Sequence, residues 1–360
     1  MRELLNVPLA AYTTLGLGGP ARRLVEAATD EDVICAVQAI DADGEPLLVL
    51  GGGSNLVVAD EGFAGVVVRV CPRGIDVHDG GRDDDSGGGS VDVVVRAGED
   101  WDELVARTVA VGLSGMECLS GIPGLVGAAP MQNIGAYGQE VSQTITGVRA
   151  YDRQLRNEVT LPAAKCGFGY RHSVFKTTAR YVVLAVSFAL ERSALSQPVR
   201  YTELARALGV RPSDRAPLAD VRATVLDLRR GKGMVLDPAD ADTRSAGSFF
   251  TNPVLDPAAL RALEERVAQR LGPQAAFPRF PERDGSVKTS AAWLIQHAGY
   301  GRGYGAGRAR ISTKHTLALT NRGGATTAEL LTLAREVRDG VRAAFGVELV
   351  NEPVLVGTAL

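Results

Sequence analysis

Residues 112–141, GLSGMECLSGIPGLVGAAPMQNIGAYGQEV, constrain the fold more than any other part of this chain. They are dense in glycine and almost devoid of charge. Their apolar residues are too irregularly spaced for one helix, and they are too apolar for a disordered linker. Such a stretch is a buried, turn-rich crossover or a loop whose bare backbone closely approaches a ligand. A second glycine run, GGGSN at 51–55, directly follows the short apolar segment Pro46 to Leu50. Three successive glycines after a strand permit positive φ and let amide N–H groups converge on a phosphate. No Gly-Lys-Ser/Thr follows, so it is not a P-loop, and it does not match Gly-x-Gly-x-x-Gly. Two glycine loops of unequal type suit a long cofactor with a pyrophosphate and a ring at different ends. The 42 glycines of the chain show no triplet period, which excludes collagen.

At 360 residues the chain is long enough for two to three domains. With 45% apolar and 22% charged residues it is not a disordered polymer. The 39 basic and 42 acidic residues leave a net charge of −3, without the basic excess of a general nucleic-acid binder. Cys35, Cys71, Cys118 and Cys166 are far apart and read as buried, reduced thiols. His78, His172, His297 and His315 form no cluster at ligand spacing, so no metal site is expected. Glu3, Asn6 and Pro8 interrupt the apolar N-terminus, which argues against a signal peptide. No run of 18 apolar residues occurs, so no membrane insertion is expected, and the expected location is the cytoplasm.

Thr29 caps an expected helix to about Ile40, followed by strands at Pro46 to Leu50 and Gly65 to Val70. The acidic, glycine-rich stretch 79–90 reads as a flexible loop before a strand at Val91 to Arg96. Further helices are expected at Asp100 to Val111, Tyr201 to Leu208 and Leu218 to Arg230. Others follow Asp256-Pro257, cover Thr289 to His297, and start with the capping box at Thr326. Strands are expected at Gly147 to Tyr151, Tyr181 to Leu190 and Val347 to Val356. Three residues in the remaining loops could carry charge or a proton. Arg171, in GYRHSVFK, is a surface cation or an anion stabiliser. Ser248, in SAGSFFTNP, is a turn residue or a hydroxyl held for chemistry. Glu352, in the apolar LVNEPVLVG, faces water from an edge or is a buried carboxylate.

These segments occur together in one family. AYTTLGLGGPA (11–21), LGGGSNLVVADEGFAG (50–65), SGIPGLVGAAPMQNIGAYGQEV (120–141), GFGYRHSVFK (167–176), AGSFFTNP (246–253), SAAWLIQHAG (290–299) and NEPVLVG (351–357) follow in its order. The chain resembles the flavin-dependent UDP-N-acetylenolpyruvoylglucosamine reductases of peptidoglycan synthesis over nearly its whole length. The resemblance implies an α+β, vanillyl-alcohol-oxidase-type FAD-binding fold. Two FAD-binding lobes (1–74 with 346–360, and 75–235) would be joined by an α+β substrate-binding lobe (236–345). It places FAD, bound non-covalently, on Gly51, Gly52, Gly53, Ser54, Asn55 and Leu56. A second set is Gly121, Ile122, Pro123, Gly124, Gly127 and Ala128, with Gln132, Asn133, Gly135 and Ala136 close to the flavin.

The implied reaction takes hydride from NADPH through FAD to the enolpyruvyl group of UDP-N-acetylglucosamine enolpyruvate. Ser248 corresponds to the proton donor, and Arg171 and Glu352 to the pair that stabilises the enol-type intermediate. Glu348 is the rival for the last role. Tyr137 and Asn252 correspond to substrate contacts, and Tyr201 to a mobile tyrosine covering the diphosphate in one branch of the family. A lysine often found in that branch has no direct counterpart here, so the diphosphate contact falls on Lys232 or near Met234. The stretch 79–90 reads as an insertion, and a monomer is expected. The alternatives are another FAD enzyme of the same fold, such as a small-alcohol oxidase, and a non-catalytic nucleotide-sugar-binding protein.

Overall fold

The computed structural model describes residues 1–79, 89–282 and 284–360, so most of the acidic stretch 79–90 lies outside the described residues. The chain packs as two compact units. One comprises Met1–Val7, Ala21–Gly53 and Ala64–Val235, the other Pro8–Pro20, Ser54–Phe63 and Leu236–Leu360.

In the first unit, strands Arg2–Pro8, Pro20–Ala27, Phe63–Val70 and Leu47–Leu50 form a sheet in that spatial order. Its last two strands are parallel, with Leu47 opposite Val66. Val66, Val67 and Val68 are all wholly buried although successive side chains face opposite ways. Both faces of that strand are therefore covered, which accounts for its unbroken valine run. Helix α1 (Asp30–Ala42) starts where the Thr29 side chain accepts the Asp32 N–H. Arginines in, and just after, strands of a second sheet hold both its ends. Arg96 and Arg149 pair with the buried Asp30, and Arg153 lies 2.5 Å from Asp41.

The second sheet runs Asn157–Pro162, Ile145–Asp152, Tyr181–Arg192, Ser90–Arg96, Ile75–Asp79, with Leu113–Ser114 added beside Tyr181–Arg192. Its pairs are antiparallel. Helix α2 (Trp101–Ala110) buries Trp101, Leu104 and Val105 on one face, capped by Asp100. The Trp101 indole donates to Leu119 O at 3.1 Å and packs edge-on against Phe188. Helices α3 (Val174–Thr177), α4 (Thr202–Leu208) and α5 (Leu218–Gly231) complete the unit. α4 and α5 share a small separate core of Val199, Leu204, Ala205, Val221 and Val225 around Cys118.

The second unit is built on α6 (Pro257–Leu271), α7 (Ala291–His297) and α8 (Thr327–Phe345). The expected boundaries hold where caps define them. Asp256 accepts two N–H groups with Pro257 at the first helical position, and Thr326 and Glu329 form the capping box. The expected closing strand is shorter: only Val354–Val356 forms one, parallel to Leu56–Val58. The C-terminal segment thus pairs with Leu56–Val58, within the unit that also contains 236–345. One break between the units falls at Val235/Leu236, and residues 21–53 and 64–235 lie in a single compact unit.

Among the described residues, no helix is long and apolar enough to cross a membrane, and no cluster of His, Cys, Asp or Glu could hold a metal ion. The thiols are free. Cys118 and Cys166 are buried and Cys71 half-buried, but Cys35 is exposed on α1, contrary to the expectation of four buried thiols. Desolvation pushes the Cys166 thiol up to about 11.

The tail of the LGGGSNLVVADEGFAG motif is structural. Asp60 caps α8, its two carboxylate oxygens accepting from Thr327 N at 2.7 Å and Ala328 N at 2.9 Å. Negative charge at a helix N-terminus is favourable, and here it also satisfies two orphan donors. Gly62 makes this possible. It has φ +83°, and a Cβ there would overlap the carbonyl oxygen of Pro20. Gly62→Ala should therefore destabilise the chain by on the order of 1–3 kcal/mol. Urea unfolding checks this; an unchanged midpoint would show that the Pro20 segment yields without cost.

Candidate functional site

The two glycine loops meet within the first unit. Gly51 to Gly53 leave the strand Leu47–Leu50 at its C-terminal end, next to the loop at 121–128. A Cβ on Gly52 would lie 2.8 Å from Gly124 Cα, and one on Gly51 would lie 3.7 Å from the Ala128 methyl. Gly53, Gly121 and Gly124 have φ of +62°, +72° and +125°. No backbone carbonyl of the described residues accepts the N–H of Gly52, Gly53, Ile122, Gly124 or Leu125. Such uncommitted amides on bare backbone at the carboxyl end of a strand form a cradle for an anion. A phosphate-bearing cofactor fits these residues. Any side chain at Gly52 would close the approach between the loops.

Ser54, Asn55 and Leu56 begin the passage into the second unit. There the Asn55 side chain reaches Glu352 O at 3.5 Å, and Leu56 starts the strand that pairs with Val354–Val356. Gln132, Asn133, Gly135 and Ala136 belong to the first unit. The Asn133 side chain is committed to the protein. It donates to Glu140 Oε2 (2.9 Å) and Gly169 O (3.1 Å) and accepts from Ser142 N (3.0 Å). Both donor hydrogens of the Asn133 side-chain amide are therefore spent within the protein, and its backbone N–H donates to Pro130 O at 3.3 Å. Its side chain holds the hairpin Gly135–Ala136/Gln139–Glu140 against the turn that carries Arg171.

Gly169 and His172 exchange both backbone hydrogen bonds, so Tyr170 and Arg171 form a two-residue tip. Arg171 Nη2 donates to Gly135 O at 3.0 Å, and its guanidinium lies 5.3 Å from the centre of the Tyr170 ring. A Cβ at Gly135 would lie 3.2 Å from Arg171 Nη1, so the missing side chain gives the guanidinium its place. Among the described residues six non-glycine positions have positive φ, and three of them are Asn133, Tyr137 and Arg171. Left-handed backbone is rare for Tyr and Arg, and such strain gathers at functional sites.

Tyr137 meets Tyr201 edge to face, with ring centres 5.5 Å apart. Tyr201 is the residue before α4, not its first turn, and is 43% exposed. Burial pushes the Tyr137 phenol up to about 12, and desolvation also raises Tyr201, so both stay neutral donors near neutral pH. Lys232, just past α5, lies 5.5 Å from the centre of the Tyr137 ring and pairs with Glu203 at 2.6 Å. Met234 spends both backbone groups on Arg229, its N–H donating to Arg229 O and its carbonyl accepting from Arg229 Nη2, each at 2.9 Å.

Ser248 and Glu352 are neighbours in the second unit. Phe250 and Asn351 form an antiparallel bridge, and Glu352 N donates to Phe249 O at 2.8 Å. Phe249 and Phe250 are wholly buried, anchoring the turn in which Gly247 has φ +72° and Ser248 is half-buried. Glu352 is 9% exposed, which rules out a water-facing edge position, whereas Glu348 is exposed. Asn252 Oδ1 accepts from Ala291 N at 3.0 Å, fixing its amide at the start of α7. Arg171 belongs to the other unit.

Sequence reasoning missed the supports. Glu117, wholly buried, accepts from Gly115 N, Gln139 Nε2 and Gln197 N at 2.7–3.0 Å. Asp102 binds Arg222 through both oxygens and takes the Gly121 N–H at 2.6 Å. The only advance signal was a carboxylate close to glycine-rich, apolar sequence.

Residues 21–154 match the family described as FAD binding domain, and residues 237–356 match UDP-N-acetylenolpyruvoylglucosamine reductase, C-terminal domain. The chain is 60% identical to the UDP-N-acetylenolpyruvoylglucosamine reductase of Thermobifida fusca, over 99% of this chain and 98% of that one. It is 59% identical to that of Streptomyces avermitilis, over 100% of this chain and 96% of the other. The crystal structure of UDP-N-acetylenolpyruvylglucosamine reductase (MurB) from Thermus caldophilus superposes with a TM-score of 0.65 at 26% identity, over 99% of this chain and 98% of that one. Alignment of this kind over the whole length means that the chain belongs to the UDP-N-acetylenolpyruvoylglucosamine reductase family.

Proposed function

We infer that this chain reduces the enolpyruvyl group of UDP-N-acetylenolpyruvoylglucosamine, yielding UDP-N-acetylmuramate for peptidoglycan synthesis, with FAD as cofactor and NADPH as reductant. The observation that carries this reading is about 60% identity to a reductase of that name over both whole chains. The paired glycine loops supply its physical basis, because together they can hold a pyrophosphate on backbone N–H groups. The alternatives are less well supported. A small-alcohol oxidase would have no use for the AGSFFTNP and NEPVLVG elements, and a mere binding protein would have no need of a left-handed Arg171 or a buried Glu352. No His or Cys lies within 51–65 to tether a flavin, so binding is non-covalent. Purified protein should be yellow, bleach with NADPH, recolour with the enolpyruvyl nucleotide, and release FAD on acid precipitation. Flavin left on the precipitate would refute non-covalent binding, and failure to recolour would refute the substrate.

FAD, held by the two glycine loops, would supply the redox chemistry that carries hydride from NADPH to the β-carbon of the enolpyruvyl group. The roles proposed for the chain follow from side-chain chemistry. Ser248 Oγ donates the proton that the α-carbon then requires. The Arg171 guanidinium neutralises oxyanion charge that develops at the carboxylate end, and the Glu352 carboxyl hydrogen-bonds there. Tyr201, neutral, covers the nucleotide's diphosphate and donates to it, and Tyr137 and Asn252 contact the substrate. Lys232 supplies the diphosphate's cation, because it stands beside Tyr137 while Met234 carries no charge and spends its backbone groups on Arg229. The division of labour proposed is flavin binding by 1–74 with 346–360 and by 75–235, and substrate binding by 236–345. A cytoplasmic monomer is proposed on the same reading.

Ser248→Ala should leave reduction of the flavin by NADPH near normal and slow its reoxidation by substrate by about 10²–10⁴-fold, the usual range for a lost general acid. Rapid-mixing absorbance at the flavin band separates the halves. Equal slowing of both would mean pocket damage and remove the proton-donor role.

Tyr201→Phe should raise KM for the nucleotide substrates with little change in kcat, since this half-exposed tyrosine before α4 is placed to cover a ligand. A large kcat loss at unchanged KM would instead place Tyr201 in the reacting centre.

A further inference from the structure

The last turn of α5 carries Arg229 behind the second glycine loop. Its Nη2 donates to two carbonyls, Gly121 O at 3.2 Å and Met234 O at 2.9 Å. Its Nε is shut off from solvent and has no hydrogen-bond partner among the described residues. The carboxylate in its field is Asp102, which is already bound through both oxygens by Arg222 and takes the Gly121 N–H. Desolvation pushes the Arg229 guanidinium down to about 10, which still leaves it charged at neutral pH. A desolvated cation without its own anion is costly, and folds do not retain one without compensation.

The peptide geometry indicates where that compensation comes from. In a trans peptide the C=O and the following N–H point in opposite directions. Arg229 holds the Gly121 carbonyl, so the Ile122 N–H points away from α5. No backbone carbonyl of the described residues accepts it. With Asp102 on its N–H and Arg229 on its C=O, Gly121 is fixed at both polar groups. Its φ of +72° and its contact with Leu226, 2.8 Å from where a Cβ would lie, admit no other residue without strain.

We propose that Arg229 is a positioning residue for the flavin's pyrophosphate. It aims the Ile122 N–H at the phosphate and stands as the cation one peptide behind the cradle, the phosphate serving as its missing counter-charge. This rests on the assignment of the two glycine loops to FAD made above. The same guanidinium, through Met234 O, ties the flavin loop to the turn that carries Lys232.

The test measures the dissociation constant of FAD by the flavin fluorescence that appears on diluting the holoenzyme, with the melting temperature alongside. Arg229→Met should raise the constant about 10–100-fold, the loss expected for one charge-assisted contact. Arg229→Lys, which keeps the charge and a donor, should recover most of it, and Arg229→Gln, which keeps a donor alone, should not. Val225→Ala loosens α5 from the same core without touching a charge, so it should lower the melting temperature yet leave the constant within about twofold. The ³¹P resonances of bound FAD should shift in Arg229→Lys and not in Val225→Ala. If Arg229→Met does not fold, the Lys and Gln variants carry the comparison. The proposal is overturned if Gln and Lys bind FAD alike, or if Val225→Ala weakens binding as much as the Arg229 variants. An unaltered chain that binds no FAD would instead remove the functional reading itself.

Discussion

The approach of two backbones, at Gly52 and Gly124, is the constraint on which the first unit depends. With 2.8 Å between Gly124 Cα and the place of a Cβ on Gly52, no side chain fits between the loops. Their amides therefore face one small volume, and an anion there meets several dipoles already oriented. Each loop is set by a different means. The strand Leu47–Leu50, paired in parallel with Phe63–Val70, delivers the first. Asp102 and Arg229, on α2's first turn and α5's last, hold the second at Gly121. The loop with the least regular structure is thus the one most firmly tied to helices.

A second theme is the use of charge as a fastener. Asp30 and Asp41 fix the ends of α1 to arginines of the larger sheet, Asp60 caps α8, and Asp102 joins Arg222 to Gly121. Surface ion pairs contribute little on their own, but Asp30, Asp41 and Asp102 are at least partly desolvated, and each of the four carboxylates satisfies more than one donor. Breaking one would leave donors without partners, which costs more than the pair itself yields. Asn133 and Glu117 act similarly without an ion pair, each accepting or donating several bonds within the glycine-rich region. The polar residues of this region serve mainly to hold backbone, and backbone is what the cradle presents.

The helix ends and the motif order were legible in the sequence, because caps, Pro at the first helical position and glycine runs act over a few residues. Thr29, Asp100, Asp256 and Thr326 cap helices where local chemistry requires. Family membership was legible for a related reason: seven motifs in fixed order are a linear property. The closing strand was misjudged in extent, because pairing with Leu56–Val58 begins only at Val354 while Glu352 N is taken by Phe249. Cys35 was read as buried because unpaired thiols usually are, whereas it lies exposed on α1.

Residue types, helix limits and the presence of two glycine loops were determined by the sequence alone. Only the tertiary structure decided that Gly52 meets Gly124, that Glu352 is buried while Glu348 is not, and that Lys232 stands beside Tyr137. It also decided that Asn133 spends its side chain on the protein and that Arg229, an unremarked residue in an amphipathic helix, ends up behind Gly121. The physical reason is distance along the chain. Gly121 and Arg229 are 108 residues apart, and Asn55 and Glu352 are 297. Local propensity carries no information across such separations. They close only when the cores form and the buried groups between them must find partners.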